Sequence, residues 1–322
     1  MGLPTGTTSP STDSRIFVGC GASRVITLGA GRTVEGKILA ERYRLLQKLG
    51  EGGMGSVWRA EHLGLRTHVA VKLIDPDIIH SEDALRRFER EAQAAAAIRS
   101  VNIVQILDYG VDERLPYIAM ELLEGETLAS KLARVRRMQP ADLGEVLHPV
   151  ARALSRAHEK GIAHRDLKPS NIFIVREGQD EIVKLLDFGI AKRFGEFSEL
   201  TDGFRTKSGL LIGTPHYVSP EQAMGKTDID HRVDIWAFGV IAYQCLIGAL
   251  PFEGGTLGSL LMAICHEPLP IPSARAAVPA GFDNWFARAV ARDPQQRFDS
   301  ILDAVTYLRV MCRLASSQPP PR

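Results

Sequence analysis

The predicted secondary structure changes near residue 125, and this change constrains the fold more than any other feature of the chain. Residues 43–121 contain mostly β-rich runs bounded by turn residues, interrupted by one predicted helix over residues 81–99. Beyond residue 125 the apolar residues recur at helical spacing. A sheet-rich part followed by a helix-rich part predicts an α+β protein with two lobes. A ligand between the lobes would occupy the usual place for a cleft.

Composition excludes several classes of protein. Lys and Arg together number 39 and Asp and Glu 38, so no overall electric field favours a nucleic-acid partner or an acidic membrane. The longest apolar stretch, residues 237–250, is too short for a bilayer core of about 30 Å, so we expect no membrane span. The first residues do not resemble a signal peptide.

The cysteines are scattered along the chain without a Cys-x-x-Cys pair. They are Cys20, Cys245, Cys265 and Cys312. This spacing argues against a zinc site and against a disulfide framework, and it predicts reduced thiols in a cytoplasmic protein. Nothing in the sequence specifies the oligomeric state.

A glycine-rich turn lies between two predicted strands. Gly50, Gly52 and Gly55, with Val57 after them, match the pattern G-x-G-x-x-G-x-V. Glycines let a backbone approach a phosphate closely. Dinucleotide-binding sites share this spacing but need a helix after the glycines, whereas here a strand follows. We therefore favour a hairpin that covers phosphates, and the alternative is a merely flexible hairpin.

Lys72 and Glu91 are candidates for a functional ion pair in the sheet-rich part. Lys72 ends a Val-Ala-Val-Lys run on a predicted strand, and Glu91 shares a helix face with Phe88 and Ala95. Taken singly, Lys72 would be an exposed strand lysine and Glu91 an intrahelical partner of Arg87. With the motifs described next, we predict that Glu91 holds Lys72 toward nucleotide phosphates.

The octet HRDLKPSN at residues 164–171 and the Asp-Phe-Gly at Asp187 carry the chemistry. Asp166 would orient an attacking hydroxyl, and Lys168 would neutralise charge on the moving phosphoryl group. Asn171 and Asp187 would ligate Mg²⁺, which prefers oxygen ligands. An isolated Asp-Phe-Gly would be a turn, but this one follows a predicted strand. Together these residues predict phosphoryl transfer from a nucleotide, which needs mainly positioning and charge neutralisation.

In this order the motifs resemble the signature set of the protein kinases, over residues 43–308. Gly-Thr-Pro-His-Tyr at residues 213–217 and Ser-Pro-Glu-Gln at residues 219–222 look most like the eukaryotic-like serine/threonine kinases of bacteria. The resemblance implies ATP and Mg²⁺ as cofactors and protein substrates with Ser or Thr acceptors. It also implies that Arg297 pairs with Glu221 and that an aspartate, Asp234, anchors the catalytic loop.

The resemblance further implies a two-lobed protein-kinase-like fold, with a small β-rich N-lobe that carries one regulatory helix and a larger helical C-lobe. We expect the N-lobe at residues 39–122 and the C-lobe at residues 123–312. Flexible tails are expected at residues 1–38 and 313–322.

The same resemblance implies an adenine site. Adenine would lie between Val57 and Ala70 above and Phe173 below, with Met120 at the back. The backbone from Glu121 to Leu123 would form the hinge between the lobes and would meet the edge of adenine. Phe173 departs from the leucine that the family usually has in this position, and a ring there would narrow the floor of the site.

A regulatory segment is expected at residues 187–221, which are polar in their middle. Thr206 and Ser208 lie six to eight residues before Thr214, where related kinases are often autophosphorylated. Arg165 could meet such a phosphate by charge-assisted hydrogen bonds. We predict that one of these sites raises activity, and the alternative is an unregulated loop.

Two other functions compete with the protein kinase. A pseudokinase usually lacks the equivalents of Lys72, Asp166 or Asp187, and all three are present. A small-molecule kinase of related fold would not need residues 219–221 and Arg297, which in protein kinases build a ledge for a peptide. The protein serine/threonine kinase is therefore the favoured hypothesis.

Overall fold

The computed structural model describes residues 34–52, 55–76, 79, 81–178, 180–188 and 215–316. The N-lobe contains β1 (Ile38–Leu39), β2 (Tyr43–Gly52), β3 (Gly55–His62), β4 (Thr67–Ile74), α1 (Glu82–Ala96), β5 (Ile106–Asp112) and β6 (Leu115–Glu121). The C-lobe contains β7 (Gly125–Thr127), α2 (Leu128–Val135), α3 (Pro140–His158), β8 (Ile172–Glu177), β9 (Asp180–Leu185), α4 (Pro220–Ala223), α5 (Arg232–Ile247), α6 (Leu257–His266), α7 (Phe282–Ala289) and α8 (Ile301–Ser316). The order of elements, with a sheet-rich N-lobe followed by a helix-rich C-lobe, is the α+β architecture that the sequence predicted.

The N-lobe is an antiparallel sheet with the strand order β1-β2-β3-β4-β6-β5. Alternate residues of each strand point to opposite faces, so the sheet has two apolar sides. Val71 and Ala119 belong to the core on one side, and Ala70 and Met120 belong to the core on the other. Helix α1 covers the second side through Phe88, which is fully buried.

Helix α1 begins where the sequence predicted. The Ser81 side chain caps the helix by accepting a hydrogen bond from the Ala84 N–H at 3.1 Å. Glu82 and Asp83 lie in the first turn, where negative charge is favourable. The helix ends at Ala96 rather than at the predicted residue 99.

The C-lobe is built around α5, which is apolar on nearly all sides and almost wholly buried. A helix that is apolar on nearly all sides belongs in the centre of a large domain. Helices α3, α7 and α8 pack around it in one continuous core. That core also includes Ala95 and Ile103, so the end of α1 and the chain after it connect the two lobes.

A second, three-stranded sheet with the order β7-β8-β9 lies beside the catalytic loop. The chain after α1 joins this sheet at its edge. Ile103 forms a parallel bridge with Leu185, and the Val104 N–H donates to the Leu185 carbonyl at 2.9 Å. Because β9 leads directly to Asp187, this contact links the N-lobe to the segment that carries a site residue.

Both predicted tails overlap with ordered elements. Ile38 belongs to β1, and just before it the Gly36 N–H donates to the Leu45 carbonyl at 2.8 Å. At the other end α8 continues to Ser316, past the predicted boundary at residue 312. The contact of Gly36 with Leu45 is between residues that are distant in sequence, whereas residues 313–316 continue α8. Among the helices of the described residues, none is long and apolar enough to span a membrane.

Candidate active site

Asp234, in the first turn of α5, holds the backbone of the catalytic loop. Its Oδ2 accepts the His164 N–H and its Oδ1 accepts the Arg165 N–H, both at 2.8 Å. His158 adds a third hydrogen bond, from Nε2 to Oδ2 at 2.8 Å. Arg165 has a φ of +62°, a strained value for a residue with a side chain. The buried carboxylate offsets this strain, as the resemblance implied for Asp234.

Three of the predicted site residues meet within the catalytic loop. Lys168 Nζ lies 3.0 Å from Asp166 Oδ2. Asn171 donates from Nδ2 to the Asp166 carbonyl at 2.8 Å and to Asp166 Oδ2 at 3.3 Å. Because its Nδ2 is used in this way, Asn171 has its Oδ1 as the atom that can bind a cation.

Lys72 from β4 and Asp187 beyond β9 meet across the cleft. Lys72 Nζ lies 2.8 Å from Asp187 Oδ2, and the lysine side chain is only 15% exposed. Asp187 has a φ of +41°, a second strained backbone position in the site. The Asp187 carboxylate is therefore at the place where the lobes face each other.

His164 and Phe188 position the segment around Asp187. The two rings lie 5.0 Å apart, and Phe188 is 5% exposed. His164 Nε2 donates to the Leu186 carbonyl at 2.9 Å. The Leu186 N–H donates to the Asn171 carbonyl at 2.8 Å. These contacts bring the two predicted metal ligands, Asn171 and Asp187, to neighbouring segments of chain.

Glu91 lies on the predicted face of α1, with Phe88 and Ala95, but another carboxylate pairs with Lys72. A largely buried ammonium needs an opposite charge, and Asp187 supplies it at 2.8 Å. The Lys72–Glu91 pair therefore stays a prediction.

The residues predicted to enclose adenine are mostly brought together. Ala70 and Met120 belong to one apolar cluster against which Val57 and Leu123 pack. Phe173 is 1% exposed and lies in β8, between Thr127 of β7 and Lys184 of β9. Its contact with a base stays a prediction.

The glycine-rich turn is a hairpin, as its flanking strands predicted. Gly52 pairs with Gly55, and Gly50 pairs with Val57. Gly55 has a φ of +136°, and a Cβ there would lie 1.9 Å from the Leu73 carbonyl oxygen. Glycine at residue 55 is therefore required by the close approach of β3 and β4, whatever its role toward phosphate.

Two contacts connect the segment after residue 214 to the catalytic loop and its lobe. Arg297 forms a bidentate pair with Glu221, at 2.6 and 2.8 Å, as the resemblance implied. Gln222 Nε2 donates to the Arg165 carbonyl at 3.0 Å. The supporting roles of Gln222 and His158 were missed, because His158 lies in no motif and the motif of residues 219–222 does not indicate what Gln222 contacts.

The regulatory predictions fall partly outside the described residues. Thr206 and Ser208 lie outside them, and so does Gly189. Arg165 is described, and its Nη2 donates to the Ile229 carbonyl at 3.4 Å. Its contact with a phosphate stays a prediction.

The donor set fits a metal held together with phosphate rather than a metal held by protein alone. Among the described residues, no group of three or more His, Cys, Asp or Glu side chains is arranged to hold a metal. Asp187 and Asn171 offer one carboxylate and one amide oxygen. Mg²⁺ is commonly bound through one or two carboxylates with substrate phosphates and water completing the shell.

Comparisons with known proteins identify the family of this chain. A family model for the protein kinase domain matches residues 43–310. The serine/threonine-protein kinase Pkn1 of Myxococcus xanthus is 41% identical over 80% of this chain and 36% of its own length. PrkC of Bacillus subtilis, also named a serine/threonine-protein kinase, is 35% identical over 83% of this chain and 40% of its own length.

Solved structures show the same fold. The crystal structure of the Mycobacterium tuberculosis PknI kinase domain has a TM-score of 0.69 and 26% sequence identity, and the match covers 87% of this chain and 100% of that one. The chain spans less than half the length of the curated relatives named above. The chain belongs to the protein kinase family, and within it to the bacterial eukaryotic-like serine/threonine kinases.

Proposed function

We propose that this chain transfers the γ-phosphate of ATP to Ser or Thr hydroxyls of proteins. The observation that carries the proposal is the meeting of Lys72 and Asp187 at 2.8 Å, beside a loop in which Lys168 and Asn171 both contact Asp166. The family uses ATP and a divalent metal, and Mg²⁺ is the ion that this donor set favours.

Each side chain has one role in the proposed reaction. Asp166 would orient the acceptor hydroxyl and receive its proton, and Lys168 would meet charge on the transferred group. Lys72 would hold the phosphates of ATP. Asn171 and Asp187 would hold Mg²⁺, which when bound would neutralise charge on the phosphate oxygens. Lys168, two residues after Asp166, is typical of the serine/threonine kinases.

Transfer of labelled phosphate from ATP tests this function. We expect the wild-type chain to phosphorylate itself and a generic protein substrate on Ser or Thr. The Asp166→Asn variant should lose about 10²- to 10⁴-fold in rate, because general base catalysis contributes about that much. A wild-type chain that binds ATP but transfers nothing would indicate a pseudokinase. Transfer only to small molecules would indicate a kinase of the other class.

Autophosphorylation of the activation segment belongs to the same proposal. Thr206 and Ser208 are the proposed acceptors, and Arg165 is the proposed partner of the resulting phosphate. Intact mass measurement of the wild type and of a Thr206→Ala/Ser208→Ala variant tests it. Unchanged phosphate content together with full activity in the variant would exclude both sites.

A cytoplasmic location is also proposed, because the scattered cysteines are typical of a protein with reduced thiols.

A further inference from the structure

Glu121, the last residue of β6, is fixed by contacts from two directions. Its Oε1 lies 2.7 Å from Lys184 Nζ and also accepts the Gln105 N–H at 2.7 Å. Its own N–H donates to the Gln105 carbonyl at 3.0 Å. The Glu121 side chain is 26% exposed and that of Lys184 is 15% exposed. The hinge between the lobes is therefore tied to the C-lobe by a half-buried ion pair.

Lys184 also lies beside the proposed floor of the adenine site. In the β8–β9 ladder Lys184 is directly opposite Phe173. Residues directly opposite each other in an antiparallel pair place their side chains on the same face, with Cβ atoms about 5 Å apart. The stem of Lys184 thus flanks Phe173 while its ammonium reaches Glu121, and Asp187 follows three residues later along the chain.

Because this ion pair is largely buried, it can hold Glu121 and Lys184 in fixed positions. A charge pair at a fully exposed surface would be screened by water and would hold its partners only loosely. At 15% and 26% exposure, losing one partner leaves the other charge partly desolvated and without its ion pair. Glu121 would then reorient toward water, and Gln105 would lose the acceptor of its N–H.

We propose that Lys184 is a positioning residue for nucleotide binding, which holds the hinge at Glu121 in register with Phe173. The proposal rests on the proposed function, because it takes the hinge backbone as the edge that adenine meets. The hinge backbone would contact adenine, which is the part of the nucleotide that does not react. Its loss should therefore weaken ground-state and transition-state binding equally, which raises KM for ATP and leaves kcat unchanged.

Steady-state kinetics of Lys184→Met test whether KM for ATP rises while kcat stays unchanged. We expect KM for ATP to rise about tenfold with kcat within about twofold of wild type. Lys184→Arg, which keeps the charge, should recover most of the affinity. Glu121→Gln combined with Lys184→Met should be no worse than Lys184→Met alone, because the two residues act through one contact.

Lys131 of α2 offers a matched control, because its partner lies on β9, the strand that carries Lys184. Lys131 Nζ pairs with Glu181 of β9 at 3.5 Å, and these side chains are 19% and 49% exposed. This pair does not involve the hinge, so Lys131→Met should leave KM for ATP and kcat as in wild type. An equal rise in KM in Lys131→Met would mean that any loss of charge near β9 has this effect, and it would overturn the proposal.

Hydrogen exchange of the nucleotide-free protein gives a readout that does not depend on activity. In Lys184→Met the amides of Gln105 and of the hinge should exchange faster than in wild type, and in Lys131→Met they should not. If wild type transfers phosphate while Lys184→Met has wild-type KM and exchange, the positioning role alone fails. If wild type transfers no phosphate but its ATP affinity, measured by calorimetry, falls in Lys184→Met, the proposed function fails and the positioning role stands.

Discussion

Three ionisable side chains of the C-lobe are almost inaccessible to water, and each ties distant parts of the chain together. Asp234 is 1% exposed, Glu221 5% and Arg297 1%. Burying a charge is costly unless fixed donors and acceptors satisfy it, and here they do. Their contribution is to locate the catalytic loop and the segment before α5, more than to add net stability.

Asp234 should make the free energy of unfolding depend on pH. Burial raises the pKa of Asp234, but the hydrogen bond and charge of His158, together with His164, lower it below its usual value. A lowered folded-state pKa means that the carboxylate's contribution to the free energy of unfolding is fully present above about pH 4. That contribution is lost as pH falls through the folded-state pKa.

We therefore expect denaturant unfolding of wild type to lose stability more steeply below about pH 4 than that of Asp234→Asn. Asp83→Asn is the control, because Arg86 also lowers the pKa of Asp83 but at a fully exposed site. There solvent screens the interaction, so the slope should match that of wild type. Parallel curves for wild type and Asp234→Asn would contradict the account.

Removing Arg297 should be severely destabilising. Arg297→Ala leaves Glu221 buried without its bidentate partner, so the free energy of unfolding should fall by about 3–5 kcal/mol. Arg42→Ala is the matched control. Its pair with Asp108 is at 3.2 Å, but the arginine side chain is 63% exposed, so we expect a loss of at most about 1 kcal/mol. Equal losses in urea unfolding would show that burial of the Arg297 pair does not matter.

For single helices and strands, the sequence predicted those features that depend on residues close together in the chain. Ser81 marked the start of α1, and the apolar surface of α5 marked the central helix. The helical pattern of α8 is weaker, because its outer face carries Tyr307, Val310 and Leu314, all more than half exposed. Strands β7 and β8 were missed because such short runs become strands only through their pairing with neighbours.

The packing of α5 against α7 makes a prediction that opposes helix propensity. A Cβ at Gly239 would lie 2.9 Å from both Ala289 Cβ and Val290 Cγ1. Gly239→Ala should therefore lower the free energy of unfolding by about 1–2 kcal/mol, although alanine favours helix by about 1 kcal/mol.

Gly258 in α6 is the matched control for this change. The nearest atom to a Cβ there is Thr256 Oγ1, at 3.9 Å. Gly258→Ala should therefore stabilise by up to about 1 kcal/mol. Urea unfolding of both variants decides the matter, because a stabilising Gly239→Ala would mean that the two helices are not in close contact.

At the scale of the whole molecule, the site divides into a part that sequence could predict and a part that it could not. Asp166, Lys168 and Asn171 lie within six residues, so their proximity is local. The meeting of Lys72 with Asp187 depends on how the two lobes face each other, and no motif indicated it.

The supporting residues show the same limit. His158, Gln222 and Lys184 each contact a part of the chain that is distant in sequence, through one hydrogen bond or ion pair. No spacing pattern indicates the partner of such a residue, because that partner depends only on three-dimensional position. Their roles could be inferred only after the fold was known.

In the proposed function, one cleft gathers Lys72, Asn171 and Asp187 around a single metal-bound triphosphate. Calorimetric binding of a non-hydrolysable ATP analogue, with and without Mg²⁺, measures whether these residues act on one bound nucleotide. We predict that Mg²⁺ strengthens binding to wild type by about tenfold or more, and that Asp187→Asn loses this gain. An equal Mg²⁺ effect in wild type and in Asp187→Asn would mean that Asp187 does not hold the metal.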